Sequence, residues 1–377
     1  MVIYKIDLQK LEQNYNSFRA WGEVFFPVKT NHNKIILSKL KRLGSGFECD
    51  SIEHIKKIYS KRNCHKIIFS NVAKSEQDII WATKHNIVFY TVDDEKTLRL
   101  ILHYAKKYGL GHLKINLRLN IYDIFKKEFK AKGTKDSRLG ASARTIKHLL
   151  GILDSEEEIA IERGISFYVQ AEVHDDKDML LRVSGYIAKH FCKGNKLDFV
   201  NIGGGSDIYR LNYSKQIMFD NLKKLGVSKI ILEPGRYMVG DIEEMETSCT
   251  RSIYTDLNGG EYVLSMAVGI YHGLIDCKLH NRNFDIYIKV GERAEKLLPL
   301  KVGAPRAKGS KQKAKRLVLR GPTADSSDIV GIFEVPKLLL NVAENEKISF
   351  VIKNVGAYVE VLCSDFSGKT PVKYKIV

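Results

Sequence analysis

Through the first 240 residues, short β-branched apolar runs alternate with longer amphipathic stretches. The runs Val24–Val28, Lys66–Ser70, Ile87–Thr91, Lys114–Leu119, Ile165–Val169, Phe199–Ile202 and Lys229–Leu232 predict strands. Between them, Lys34–Leu43, Ser51–Tyr59, Glu95–Lys107 and Ala143–Leu150 carry apolar residues three and four apart, the spacing of amphipathic helices. Strand and helix in this alternation require crossover connections and therefore a parallel sheet. Eight such units close a β/α barrel and seven strands are visible here, so a TIM barrel is the expected fold, with a doubly wound sheet as its rival. After Gly240 the rhythm changes. Arg251–Thr255, Glu261–Ala267, Phe284–Val290, Arg316–Leu319, Lys347–Val351 and Val359–Leu362 predict an all-β second domain, a sandwich or small barrel. The N-terminal Val2–Leu8 alternates apolar and charged residues, reads as a strand rather than a secretion signal, and is expected to join that second domain. The expected division is a barrel over 12–240 and a β domain over 241–377 together with 1–11.

Composition narrows the setting. A chain of 377 residues exceeds one ordinary core and suits two domains. No uncharged apolar run reaches the roughly 18–20 residues a membrane span requires. Six cysteines with no short paired spacing argue against zinc ribbons and disulfide frameworks, and fit a reduced cytoplasm. The 61 Lys+Arg against 44 Asp+Glu leave +17, which suits either a lysine-rich soluble protein or an acidic partner. No nucleic-acid-binding module is recognisable, so a nucleic acid polymer is not expected as partner. Two segments concentrate the positive charge, Lys126–Arg138 and Arg306–Arg316, and read as loops.

Several short motifs end predicted strands. Lys29 closes Val24–Asn31; in a barrel, that end of a strand faces the active site. It is a solvent-exposed terminus, or an amine held in apolar surroundings and suited to imine formation with a carbonyl cofactor. Asn201-Ile202-Gly203-Gly204-Gly205 is a tight turn or a backbone cradle for phosphate; it matches neither nucleotide-binding glycine pattern. Glu233-Pro234-Gly235-Arg236-Tyr237 sets a carboxylate at a strand end and an arginine three residues on, a structural ion pair or a phosphate grip. Gly321-Pro322-Thr323-Ala324-Asp325 and Gly356-Ala357-Tyr358 each follow a strand of the second domain and read alone as turns. Glu172, His174 and Asp176 resemble a metal set only superficially, because no second histidine lies nearby; no metal is expected.

Taken in order, FPVKTN, GSGFECDSIEHI, NIGGG, EPGRY, GPTAD and GAY resemble the pyridoxal-phosphate decarboxylases of the alanine racemase-like fold, which act on ornithine, diaminopimelate and carboxynorspermidine. The resemblance implies that Lys29 carries pyridoxal 5'-phosphate covalently through its amine. It implies that Gly203, Gly204, Gly205, Arg236 and Tyr358 hold the phosphate, and that Tyr168 stacks on the ring where relatives have histidine. Glu233 would bond the pyridine nitrogen, keeping the ring protonated and electron-withdrawing, which argues for decarboxylation over racemisation. Asp325 would reach a neighbouring subunit's site, making the protein a homodimer with shared active sites.

Two departures from the family bear on activity and substrate. Ala324 stands where the decarboxylases carry a cysteine and cannot donate a proton, which admits a catalytically silent, regulatory homologue as a further reading. Val268, in Ala267-Val268-Gly269-Ile270-Tyr271, stands where ornithine decarboxylases carry an aspartate for the distal amine, which argues against a free diamino acid. With the basic segments placed at the barrel entrance, the combination resembles the decarboxylase domain of microcin C biosynthesis. That likeness implies a 3-amino-3-carboxypropyl group on a peptidyl-nucleotide phosphate, in antibiotic biosynthesis. A conventional ornithine, lysine or diaminopimelate decarboxylase is the alternative.

Overall fold

The computed structural model describes residues 2–127, 139–169, 177–192, 197–204, 220, 222, 227, 229–255, 261–280, 282–300, 316–340, 342, 346–368 and 372–377. The chain folds into two units, one of Glu12–Met238 and the other of Met1–Leu11 with Val239–Val377.

The first strand, β1 (Val2–Ile6), belongs to the second of these units. Eight parallel strands close the barrel of the first: β2 (Glu23–Pro27), β3 (Gly46–Cys49), β4 (Ile67–Phe69), β5 (Phe89–Val92), β6 (His112–Arg118), β7 (Ala160–Ser166), β8 (Phe199–Asn201) and β9 (Lys229–Leu232). Closure is completed where β9 pairs with β2, Leu232 opposite Val24. A barrel and a β-rich second unit are the architecture expected from the alternation. In the barrel, the strand the alternation does not reveal is β3. Gly-Phe-Glu-Cys has no β-branched residue and a carboxylate in its middle, so local propensity hides it. Tertiary packing makes it a strand, because the Gly46 site is filled by the Phe25 ring, 2.4 Å from where a Cβ would stand.

Helices form where spacing and caps agree. Lys34–Leu43 buries Ile36, Leu37 and Leu40. Its Asn33 side chain accepts the Ile35 N–H, and Gly44 ends it at φ +91°, a conformation that favours glycine. Along the barrel axis, side chains two residues apart share the interior. Phe25, Ile68, Phe89, Phe199 and Ile231 form an apolar layer, with Phe89 edge-on to Phe25 and Phe199. Below it, at the strands' N-terminal end, Glu162 pairs with His112 and Lys114 at 3.2 Å and with Lys229 at 3.1 Å.

The second unit is built on β10 (Glu243–Thr255), β11 (Glu261–Met266), β12 (Asp285–Val290), β13 (Arg293–Lys296), β14 (Arg316–Arg320), β15 (Ile329–Glu334), β16 (Ile348–Lys353) and β17 (Val372–Ile376), with short helical turns between. Its sheet runs β13-β12-β16-β10-β11-β14-β15, and β1 joins it between β10 and β17. Val2, Tyr4, Met245, Leu264, Ile286, Leu317, Phe350 and Ile352 lie in its core. One expected strand is absent: Glu360–Leu362 is a 3-10 turn. Tyr358 just before it adopts φ +60°, which breaks the extended run that Val359–Leu362 suggests. Among the described residues, no helix is long and apolar enough to cross a membrane.

Candidate active site

Two residues past the apolar layer, toward the C-terminal strand ends, the barrel interior turns polar. Ile68 is followed by Ser70, Phe89 by Thr91, Phe199 by Asn201 and Ile231 by Glu233. Glu48 of β3 joins them, only 3% exposed. This ring is internally bonded. Asn116 Nδ2 donates to Thr91 Oγ1 at 3.0 Å, and Asn201 Nδ2 to Glu233 Oε1 at 2.7 Å. Ser70 Oγ donates to Glu48 Oε1, the same oxygen that takes Lys29 Nζ at 3.2 Å.

Lys29 stands two residues beyond β2, over this ring. Of the two settings the sequence leaves open, its surroundings are nearer the exposed strand end: the side chain is 44% exposed and its amine meets a carboxylate. Glu233 lies within electrostatic reach of the same group. Burial is the main cause that pushes its carboxyl up to about 7, and the Glu48 charge adds to it. The Asn201 hydrogen bond, Lys29 and Arg118 pull the other way. At this mouth of the barrel, Lys29, Glu48 and Arg118 therefore all act on Glu233.

The glycine turn locks this mouth. Gly203 has φ +69°, and a Cβ there would stand 2.9 Å from the Phe167 carbonyl oxygen. At Gly204 a Cβ would stand 2.2 Å from the carbonyl oxygen of Glu233, so backbone lies flat on backbone. The Gly203 carbonyl accepts the Glu233 N–H at 3.0 Å, and Asn201 Oδ1 accepts the Gly203 N–H at 2.9 Å. One asparagine thus ties the turn to the carboxylate. The ring of Tyr168, which is exposed, comes within 3.9 Å of the Gly203 Cβ position. Arg236 opens a short helix three residues after Glu233. Gly205, the set Glu172, His174 and Asp176, and nearly all of both basic segments lie outside the described residues.

Asp325 and Tyr358 belong to the β unit. The Ser327 N–H, 2.6 Å from Oδ1, holds the Asp325 carboxyl below its ordinary range, and the Tyr271 hydroxyl assists. Beneath this turn the fully buried Asp328 accepts Ile270 N–H at 2.9 Å, Thr323 N–H at 3.2 Å and Thr323 Oγ1–H at 2.8 Å. Gly269 and Gly321 leave it room; a Cβ at either would stand within 2.3 Å of its carboxylate. Tyr358 takes its φ of +60° beside Gly356, where a Cβ would collide with the Val239 carbonyl oxygen. Val268 is buried in the β unit's apolar core, so its side chain packs inward and offers no charge to a substrate.

The structure thus brings Lys29, Glu233, Gly203, Gly204, Tyr168 and Arg236 to the strand-end face of one barrel. It adds Glu48, Arg118 and Asn201, to which the motifs assign no role. Their signal in the sequence is a polar residue at the last inward position of a buried strand, as in Gly46-Phe47-Glu48-Cys49 and Phe199-Val200-Asn201.

The chain is similar to known decarboxylases. Diaminopimelate decarboxylase of Campylobacter jejuni is 24% identical over 387 aligned positions, covering 98% of this chain and 88% of that protein. Ornithine decarboxylase of Candida albicans is 24% identical, covering 94% of this chain and 78% of its own length. Among solved structures, the lysine/ornithine decarboxylase of Vibrio vulnificus with putrescine superposes with TM-score 0.75 at 17% identity, over 100% of this chain and 94% of that one. The arginine decarboxylase of Paramecium bursaria Chlorella virus gives TM-score 0.74 at 21% identity, over 100% and 96%. The family described as pyridoxal-dependent decarboxylase, pyridoxal binding domain, matches residues 7–240. By that match the chain belongs to the pyridoxal-dependent decarboxylases, carboxy-lyases whose cofactor is pyridoxal 5'-phosphate.

Proposed function

We propose that this chain decarboxylates a free basic or diamino acid of the ornithine, lysine, arginine or diaminopimelate class, with Lys29 carrying the cofactor. The observation that carries the proposal is the shared mouth, in which the Lys29 amine, the buried Glu48 and the Glu233 carboxylate converge above one apolar floor. The residues present fit the cofactor. An amine stands at a strand end, a carboxylate is available for a ring nitrogen, and a flat glycine turn leaves no room for a Cβ. Gly203, Gly204, Gly205, Arg236 and Tyr358 are assigned to the phosphate and Tyr168 to the face of the ring. When bound, pyridoxal phosphate supplies the electron sink that accepts the bonding pair left on Cα as carbon dioxide departs. The protein holds that sink in its accepting state: an ionised Glu233, fixed by Asn201, favours a proton on a facing ring nitrogen. Glu48 and Ser70 orient the Lys29 amine. Asp325 is assigned to a second subunit's site in a homodimer.

The carboxypropyl-nucleotide substrate has less behind it than the amino acid alternative. Val268 is a core residue. Of the basic segments only Lys126, Lys127 and Arg316 are described, and Arg316 is paired with Glu261. The relatives act on free amino acids by name. Carbon dioxide release from ornithine, lysine, arginine, meso-diaminopimelate and a 3-amino-3-carboxypropyl nucleotide separates these substrates. Turnover of the nucleotide alone would overturn the proposal. Borohydride should fix the cofactor to Lys29, and Lys29→Ala should abolish both the adduct and turnover. A protein that takes up no cofactor would be the silent homologue. Mixing Lys29→Ala with Asp325→Ala protein should restore part of the activity if sites are shared between subunits.

A further inference from the structure

We infer that Asn201 is a positioning residue that decides which oxygen of Glu233 faces the cofactor ring and keeps that carboxylate an acceptor; this rests on the placement of the reaction at Lys29 and Glu233. The two ends of the Asn201 amide are committed to different partners. Oδ1 accepts the Gly203 N–H at 2.9 Å, and Nδ2 donates to Glu233 Oε1 at 2.7 Å. The Glu233 N–H in turn donates to the Gly203 carbonyl at 3.0 Å. These bonds close a ring that runs from Gly203 to the Asn201 side chain, on to the Glu233 carboxylate, and back through the Glu233 N–H to Gly203.

The ring takes away the amide's freedom to turn over. A flipped amide would set two donors against each other at Gly203 and two acceptors against each other at Glu233. Asn201 is 1% exposed, so water cannot repair either mismatch. Its backbone is held as well. The Asn201 carbonyl accepts the Phe167 N–H at 3.2 Å, and the residue pairs with Ser166 on β7 and Ile231 on β9. Gly203, at φ +69° and pressed on the Phe167 carbonyl oxygen, holds the direction of the N–H that reads the amide.

The donor end therefore faces Glu233. Its Oε1 is taken, whereas Oε2 accepts no hydrogen bond among the described residues and is the oxygen left for a facing ring nitrogen. The charged groups acting on this carboxylate come from three other strands: Glu48 of β3, Lys29 beyond β2 and Arg118 of β6. Burial and Glu48 favour its protonated form. Asn201 is the largest of the influences that oppose them, ahead of Lys29 and Arg118, and it acts by direct contact. An amide neither gains nor loses a proton in this role; it orients an oxygen and favours its negative charge.

Asn201→Asp keeps the acceptor for Gly203 and turns the donor toward Glu233 into a second carboxylate. It should lower kcat on the order of 10²-fold. A readout free of turnover is the melting temperature of the cofactor-free protein. The variant should melt well below wild type at pH 8, where two facing carboxylates repel, and close to it at pH 5, where they share a proton. Combining it with Glu233→Gln exchanges donor and acceptor, the new amide donating to the new carboxylate. The double variant should recover the melting temperature at pH 8 but not turnover, because an amide cannot keep a ring nitrogen protonated. Wild-type kcat in Asn201→Asp, an equal thermal loss at both pH values, or no recovery in the double variant would overturn the inference. Should Asn201→Asp fail to fold at either pH, a folded double variant supports the pairing and an unfolded one refutes it. Borohydride trapping on Lys29 reports separately on the reaction site. Failed trapping in wild type refutes that site, whereas intact trapping with no thermal recovery refutes only the role of Asn201.

Discussion

The two ends of the barrel interior use the same residue types to opposite effect. At the N-terminal end one carboxylate, Glu162, is outnumbered by His112, Lys114 and Lys229. Burial works against its ionisation, yet the hydrogen bond from Lys229 and the Lys114 charge hold its carboxyl below the ordinary range. At the C-terminal end two carboxylates, Glu48 and Glu233, share a mouth, and Glu233 is pushed up to about 7. Between them lies one apolar layer. The first arrangement satisfies its charges and closes the barrel. The second leaves a carboxylate that is costly to ionise until a positive partner arrives, which is the condition of a binding site rather than of a plug.

The comparison is broken most severely at Glu233. Glu233→Gln should cut turnover by about 10²-fold or more, the scale of losing one preorganised electrostatic partner. In the cofactor-free protein it should do the reverse of harm. Between about 4.5 and about 7 the folded protein keeps a proton on Glu233 that the unfolded chain has released, so this residue's contribution to stability falls as pH rises through that window. The variant should therefore melt higher than wild type at pH 8 and close to it at pH 5. An equal gap at both values would refute the raised carboxyl.

Gly204→Ala should come next. Its methyl would stand 2.2 Å from the Glu233 carbonyl oxygen, so backbone must shift, at a cost of about 1–3 kcal/mol. Cofactor affinity, followed by spectral titration, should fall more than the melting temperature does if the turn serves the mouth. A pure loss of stability with unchanged affinity would assign the turn to packing alone. The smallest effect is expected at the other end. Glu162→Gln should cost about 1 kcal/mol, because the ion pairs are partly exposed, and leave kcat unchanged. Its pH signature has the opposite sign to that of Glu233. The carboxyl is lowered, so its stabilisation is full above about 4.5 and disappears as pH falls through the folded value. Chemical denaturation of wild type and variant at pH 4 and pH 7 measures it.

Legibility in the sequence followed burial. Lys34–Leu43 and Glu95–Lys107 are read to their end residues because apolar spacing and flanking caps agree. Lys29 and Glu233 stand out because each is a charge closing an apolar run. Glu48 does not, because β3 is too short and too mixed to announce a strand, and its place depends on the Phe25 ring over Gly46. Val268 is the converse case: its position in a motif draws attention to substrate binding, and only the structure shows that its side chain packs inward.

What the chain determined by itself was therefore periodicity, and with it a succession of crossovers, a β-rich partner unit and the strand-end positions of an amine and a carboxylate. Tertiary structure alone decided which charges meet. Lys29 and Glu48 meet through the pairing of β2 with β3, and Glu233, far along the chain, joins them only because barrel closure brings β9 back to β2. Electrostatic character is a property of that shared, partly dry volume, which no local run of residues encodes.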